Sequence, residues 1–271
     1  MKHHRITGGG NTSLHVVETG APTGRPILFI HGLSQCWLQW ARQLNSHLAD
    51  DHRLVAVDLR GHGLSDKPPA GYADARLWAD DLRSVMEALQ LDHPILCGWS
   101  YGPLVILDYV RHYGEDNLRG IQFVGGVTKL GSEAAGAVLT PEFLKLVPGF
   151  FSTDVNESVS SLGALLHLCF STELQAEEHL LMLGWSLSVP PHVRQALLSR
   201  SIDNDDLLPK LRKPVLITHG SADRIVKPEV IDQQMRRISS ARVEVMPAGH
   251  GCFWDDAERY NRQLREFATS L

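Results

Sequence analysis

Short apolar runs rich in β-branched residues recur along the chain and predict β-strands. Residues 26–32 are continuously apolar, as expected for a strand buried on both faces of a sheet. Residues 12–20 alternate between apolar and polar side chains, as expected for a half-buried strand. The same pattern predicts further strands at residues 53–59, 94–100, 120–127, 214–220 and 241–247.

Between these strands, apolar side chains recur at helical spacing. A helix is predicted over residues 75–91, whose apolar face carries Leu77, Leu82, Val85, Met86 and Leu89. A second is predicted over residues 103–114, where the closing glycine suits a C-cap. A last helix is expected to start at Asp255, because Glu258 follows three residues later in an acidic version of the capping box.

Strands that alternate with helices predict an α/β fold with a mostly parallel sheet covered on both faces. The strand pattern stops between residues 129 and 208, where helical segments such as 173–187 replace it. We therefore expect a core formed by residues 1–128 and 209–271, with residues 129–208 inserted as a helical cap or lid. In such sheets ligands bind outside the carboxyl ends of the strands, so a lid leaving that edge would cover the site.

Composition narrows the choice of partners and compartment. With 43% hydrophobic residues, 21% charged residues and a net charge of −5, an ordinary globular protein is expected and a nucleic-acid or membrane partner is disfavoured. The N-terminus lacks the apolar core of a signal peptide, and the four cysteines are widely spaced, so a cytoplasmic protein without disulfides is predicted. Neither HExxH nor CxxC occurs, which disfavours a zinc site.

The stretch GWSYG, residues 98–102, places Ser100 between a predicted strand and a predicted helix. A strand–turn–helix of this kind exposes a nucleophilic serine and needs small residues beside it. The turn also puts Ser100 at a helix N-terminus, where free N–H groups favour an oxyanion. A serine that only caps the helix is the alternative interpretation.

A nucleophilic serine needs a base, and the base needs an orienting acid. Asp223 follows the predicted strand 214–220, and His250 follows the next strand, 241–247. We therefore predict Ser100, Asp223 and His250 as the catalytic residues. The loop after strand 26–32 is expected to bring the N–H of Leu33 beside that of Tyr101 as a pair of oxyanion donors, while His31 serves as a structural hydrogen-bonding residue.

Five motifs, HGLS, DLRGHGLS, GWSYG, HGSADRIV and PAGHGCFWDD, occur in the order found in the α/β-hydrolase superfamily. The chain resembles this superfamily over nearly its whole length except the lid, and most of all its serine-nucleophile esterase, lactonase and non-haem chloroperoxidase branch. The resemblance implies an eight-stranded, mostly parallel sheet with a helical lid after the sixth strand. It implies that Ser100 is the nucleophile, Asp223 the acid and His250 the base, with Leu33 and Tyr101 as oxyanion donors. It also implies that the DLRGHGLS loop has a structural and not a catalytic role.

Two departures from related branches bear on the activity. Dehalogenases and epoxide hydrolases of the superfamily use an aspartate nucleophile, whereas this chain has Ser100. Many chloroperoxidase-like members have a glycine after the elbow, whereas this chain has Pro103. Cys36 and Cys252 lie close to the predicted oxyanion and histidine loops and are interpreted as small apolar fillers.

The expected reaction is hydrolysis of a small to medium, uncharged, mainly apolar carboxylic ester through an acyl-enzyme, with no cofactor or metal. Phe143 and Trp185 of the lid are predicted to contact the substrate. Lactone hydrolysis, perhydrolysis, carbon–carbon bond hydrolysis and a ligand receptor on the same fold remain alternatives. The expected partner is a small-molecule ester or lactone, and the sequence leaves open whether the chain forms a homodimer.

Overall fold

The computed structural model describes residues 1–271 and contains one eight-stranded sheet, in the order β1-β2-β4-β3-β5-β6-β9-β10. Only β2 runs against its neighbours, because it pairs antiparallel with both β1 and β4, while the remaining pairs are parallel. The predicted α/β fold is confirmed. The strands are β1 (Lys2–Thr7), β2 (Ser13–Gly20), β3 (Arg25–Ile30), β4 (His52–Val57), β5 (Ile95–Trp99), β6 (Gly120–Val124), β9 (Val215–Gly220) and β10 (Ala241–Met246).

Twelve α-helices cover the sheet and fill the segment between β6 and β9. None is long and apolar enough to cross a membrane. They are α1 (Ala41–Leu44), α2 (Leu48–Asp51), α3 (Ala75–Ala88), α4 (Gly102–Tyr113), α5 (Glu133–Ala137), α6 (Pro141–Phe150), α7 (Val155–Cys169), α8 (Ala176–Leu187), α9 (Pro191–Leu198), α10 (Glu229–Met235), α11 (Cys252–Asp255) and α12 (Ala257–Thr269).

The segment between β6 and β9 carries helices α5–α9 and also two short strands that the sequence pattern does not reveal. These are β7 (Lys129–Leu130) and β8 (Ile202–Asp203), which pair antiparallel and form a separate two-stranded sheet. Two-residue strands are too short to produce a visible alternation of apolar and polar positions. The chain leaves the main sheet at the carboxyl end of β6 and re-enters it at the amino end of the parallel strand β9, and the β7–β8 pair brings the two ends of the helical segment together.

One further strand was not predicted, and the start of the last helix needs correction. β1 escapes the pattern analysis because it is an edge strand with one buried residue, Ile6, among polar neighbours. The last helix starts at Ala257 rather than Asp255, and its N-cap is Asp256, whose carboxylate accepts the N–H of Arg259. Asp255 instead ends α11, which leaves its carboxylate free for the contacts described below.

Candidate active site

Ser100 lies in the sharp turn between β5 and α4, with a left-handed backbone φ of +58°. Two hydrogen bonds fix the turn, since Ser100 N–H donates to Val124 O at 2.9 Å and Val127 N–H donates to Ser100 O at 3.2 Å. The flanking glycines are sterically required: a Cβ at Gly102 would lie 2.6 Å from Ile30 O, and one at Gly98 would lie 2.7 Å from the Gly102 carbonyl carbon. The backbone here has the strained geometry of a nucleophile elbow.

The structure brings Asp223 and His250 together as the sequence predicts. Their side chains meet through a 2.7 Å hydrogen bond between His250 Nδ1 and Asp223 Oδ2. The other carboxylate oxygen accepts the N–H groups of Ile225 and Val226 at 2.8 and 2.9 Å. Burial raises the pKa of Asp223, but the charge and hydrogen bond of His250 and the Val226 N–H outweigh it, so the pKa lies below its usual value. Asp223 therefore stays ionised and orients the imidazole.

The imidazole of His250 is held in place from a second side by Trp99, the residue before Ser100. The indole N–H of Trp99 donates to His250 O at 3.0 Å, and the two rings lie 5.3 Å apart. The buried Nε2 of His250 has no hydrogen-bond partner within the protein. With Nδ1 engaged by Asp223, Nε2 is the atom left to accept a proton.

A second histidine beside the acid has no counterpart in the sequence predictions. His219, in β9, places Nε2 3.7 Å from Asp223 Oδ2 and is buried. Burial lowers the pKa of His219 despite the attraction of the Asp223 carboxylate. His219 is therefore neutral at pH 7, and the charge of Asp223 remains directed at His250.

The backbone N–H groups of Leu33 and Tyr101 make no hydrogen bond within the protein. Both residues line the same cavity as Ser100. His31, by contrast, is committed to the backbone: its Nδ1 donates to Gly32 O at 2.8 Å and its Nε2 accepts Leu59 N–H at 3.0 Å. Free donors at this edge could hold a developing oxyanion, whereas His31 shapes the loop.

The cavity is about 50 Å³ in volume and is lined by 16 residues, 12 of them hydrophobic. Its polar residues are Gln35, Ser100, Lys129 and His250. The segment between β6 and β9 contributes Val127, Lys129, Leu130, Leu139, Phe143, Leu165, Cys169 and Leu198. Sequence reasoning missed Gln35 and Cys169, because neither position carries a motif that marks it.

Of the two substrate-contacting residues expected from the sequence, only Phe143 lines the cavity. Trp185 does not line it, but its indole N–H donates to Oε1 of the lining residue Gln35 at 2.8 Å and thereby orients that side chain. Cys36 and Cys252 are buried but do not line the cavity.

Lys129 is the one cation among the lining residues, and its charge is balanced. Its ammonium forms an ion pair with Asp205 and lies 3.9 Å from Asp203. Since Asp205 also pairs with Arg237 at 2.8 Å, these groups form a small network. The cavity therefore presents no unpaired positive charge to a substrate, and no group of three or more His, Cys, Asp or Glu side chains is arranged to hold a metal ion.

Asp255 connects the histidine loop to the end of α7. One carboxylate oxygen accepts Gly249 N–H at 2.7 Å together with the N–H and hydroxyl of Ser171 at 2.9 and 2.7 Å. The other oxygen accepts the N–H and hydroxyl of Thr172 at 3.3 and 2.7 Å. Nearby, Gly251 N–H donates to Cys169 O at 2.7 Å. The loop that carries the imidazole is thus tied to the helical segment.

The sequence of residues 25–257 matches the family model of the alpha/beta hydrolase fold. The structure is similar to that of the esterase RhEst1 from Rhodococcus sp. ECU1013, with a TM-score of 0.95 and 35% identity over 100% of both chains. It also resembles an esterase from Exiguobacterium antarcticum, with a TM-score of 0.86 and 26% identity over 99% and 100% of the two chains. The AB hydrolase superfamily protein YisY of Bacillus subtilis is 30% identical over 98% of this chain and 99% of its own.

Proposed function

Because the chain belongs to the α/β-hydrolase family, we propose that it is a serine hydrolase that cleaves carboxylic esters through an acyl-enzyme. Ser100 is the nucleophile, His250 the general base and acid, and Asp223 the residue that orients the imidazole. The N–H groups of Leu33 and Tyr101 form the oxyanion hole.

The reaction follows from the hydrogen-bonding capacity of each group. Ser100 Oγ attacks the ester carbonyl carbon while Nε2 of His250 takes the hydroxyl proton. The carbonyl oxygen gains negative charge and accepts hydrogen bonds from Leu33 and Tyr101. The imidazolium then protonates the departing alkoxide, and a water deprotonated by the same nitrogen attacks the acyl group and releases the acid.

One observation carries the proposal. Ser100, His250, Leu33 and Tyr101 line one small cavity, and His250 Nε2 and the N–H groups of Leu33 and Tyr101 have no hydrogen-bond partner within the protein. Buried polar groups in folded proteins are normally hydrogen-bonded, so unpaired groups that converge on one cavity are expected to gain their partners from a ligand. A nucleophile, a proton acceptor and two donors form the set that acyl transfer requires.

The cavity also supports a substrate class. A water needs roughly 10–15 Å³ of such space, so the cavity holds about four heavy atoms beside the serine. Its mainly apolar lining and the paired charge of Lys129 favour an uncharged ester with a short acyl group. The esterases from Rhodococcus and Exiguobacterium, both similar over their full length, support ester hydrolysis over the other reactions of the family.

We further propose that residues 129–208 act as a lid over this site. Seven residues of the segment line the cavity, and Asp255 ties the segment to the histidine loop. Movement of these helices would therefore change both the access of substrate and the volume available to the acyl group.

The direct test is the rate of p-nitrophenol release from p-nitrophenyl acetate, butyrate and octanoate, for the wild type and Ser100→Ala. Acetate should be the best of the three substrates, and the variant should lose activity by about 10³-fold or more. Ser34→Ala is a matched control, because Ser34 has the same φ of +58° and a buried hydroxyl without a partner.

Each outcome has a clear meaning. Loss of activity in Ser100→Ala with retention in Ser34→Ala supports the acyl-enzyme route. Equal activity in Ser100→Ala and the wild type would refute Ser100 as the nucleophile. A wild type inactive on all three esters would refute ester hydrolysis and direct the search to lactones, to vinylogous diketones and to ligand-dependent partners.

A further inference from the structure

Arg200 is a buried arginine at the end of the helical segment, just after α9, and is 3% exposed. Its guanidinium donates to Asp108 Oδ2 at 2.7 Å and to the Tyr101 hydroxyl at 3.1 Å. The charged group also lies over the ring of Trp78, 5.4 Å from the centroid. A buried guanidinium is costly to leave unpaired, so these contacts fix its position.

The backbone N–H and the side-chain hydroxyl of Tyr101 have different surroundings. Its backbone N–H makes no hydrogen bond within the protein, while the hydroxyl of its buried side chain accepts a hydrogen bond from Arg200. The hydroxyl also donates a long hydrogen bond of 3.4 Å to Leu197 O, in α9. Both partners of the hydroxyl therefore come from the helical segment, and a residue that supplies an oxyanion donor is held from that side.

We propose that Arg200 is a positioning residue, which fixes the Tyr101 N–H in the oxyanion hole by holding the tyrosine hydroxyl. The inference rests on the proposed function. Because the elbow peptide is short and strained, a shift of the tyrosine ring changes the direction of the N–H that precedes its Cα. Docking of the helical segment thereby completes the oxyanion hole, and a displaced segment leaves one donor misaligned.

The inference is specific because Asp108 alone could satisfy the charge of Arg200. Asp108 lies within α4 and is 4% exposed, so this buried ion pair by itself would compensate the charge of the guanidinium. The additional bond to the tyrosine hydroxyl carries the connection from the helical segment to the elbow. A lysine has no planar fork and cannot reach both partners in this geometry.

The test compares Tyr101→Phe and Arg200→Lys with the wild type. Tyr101→Phe keeps the backbone N–H and the ring and leaves Arg200 paired with Asp108. Tyr109→Phe is the matched control, because this buried tyrosine lies on α4, the helix that follows Tyr101, and its hydroxyl makes no hydrogen bond to a side chain. The readouts are kcat and KM on p-nitrophenyl acetate and the inhibition constant of an alkylboronic acid, which forms a tetrahedral anion on serine.

Removal of an oxyanion donor costs about 10²–10³-fold in kcat, so misalignment of one donor should cost about ten-fold. Both variants should lose this factor in kcat and in boronate affinity with little change in KM, and the double variant should be no worse than either single one. Wild-type kinetics in Tyr101→Phe, or an equal loss in Tyr109→Phe, would overturn the inference.

The two proposals fail in different ways. If the wild type hydrolyses esters and requires Ser100, but Tyr101→Phe is unchanged, only the role of Arg200 is refuted. If the wild type neither hydrolyses esters nor binds the boronate, the proposed function is refuted and the positioning role with it.

Discussion

Replacement of Asp255 by alanine should weaken catalysis far more than its effect on folding suggests. The carboxylate accepts five hydrogen bonds, from Gly249, Ser171 and Thr172. Ser171 and Thr172 are exposed, so water can replace the carboxylate at four of the five donors. The partly buried N–H of Gly249 has no such substitute, and it directly precedes His250.

The size of both effects can be worked from these contacts. A hydrogen bond to a charged group contributes about 1.5–3 kcal/mol when sheltered and less when water competes. We expect a loss of about 2 kcal/mol in the free energy of unfolding, or roughly 4–8 °C in Tm for a chain of this size. Release of the histidine loop should lower kcat by about ten-fold or more, because misplacement by 1 Å can cost about 10²-fold.

Asp256→Ala is the matched control for this experiment. Asp256 is the neighbouring carboxylate and caps α12 through the N–H of Arg259, so its loss should cost about 1 kcal/mol of stability. Its carboxylate makes no hydrogen bond to the histidine loop, and kcat should stay within about two-fold of the wild type. Thermal unfolding and steady-state kinetics on p-nitrophenyl acetate measure both quantities. Equal kcat in Asp255→Ala and Asp256→Ala would refute the reasoning.

Three further predictions concern the cavity, the elbow and the thiols. Phe143→Ala should enlarge the cavity, so the ratio of octanoate to acetate hydrolysis should rise; an unchanged ratio would place the acyl group elsewhere. Gly102→Ala should abolish activity and lower Tm, because its Cβ would lie 2.6 Å from Ile30 O; wild-type behaviour would contradict the tight turn. Burial raises the pKa of all four cysteines, that of Cys97 to about 12, so Ellman's reagent at pH 8 should label none before unfolding and four afterwards.

The central strands and the order of the catalytic candidates could be predicted because their signals are local. Residues 26–32 and 94–100 are apolar on both faces, and each predicted strand ends within three residues of the observed one. Ser100, Asp223 and His250 each follow such a strand. Since the carboxyl ends of parallel strands meet at one edge of the sheet, their assembly needs no knowledge of side-chain contacts.

The remaining features depend on contacts between distant parts of the chain. Trp185 is aromatic and lies on a helix of the inserted segment, but which face it turns to the cavity is set by packing against Gln35. Asp255 resembles a helix cap in sequence, yet its carboxylate binds residues more than 80 positions away, and Asp256 caps the helix. Arg200 has no motif around it, because its partners lie on α3 and α4.

The pairing of β7 with β8 has a consequence for how this protein can change. Lys129 and Asp203 lie side by side in that pair, so both ends of the helical segment emerge at one place. The segment can therefore lengthen, shorten or be exchanged during evolution without altering the register of the sheet. For the protein engineer, the same two positions are natural junctions for a chimaera, with Arg200 retained in the graft, in which substrate range is inherited from one parent and hydrolytic machinery from the other.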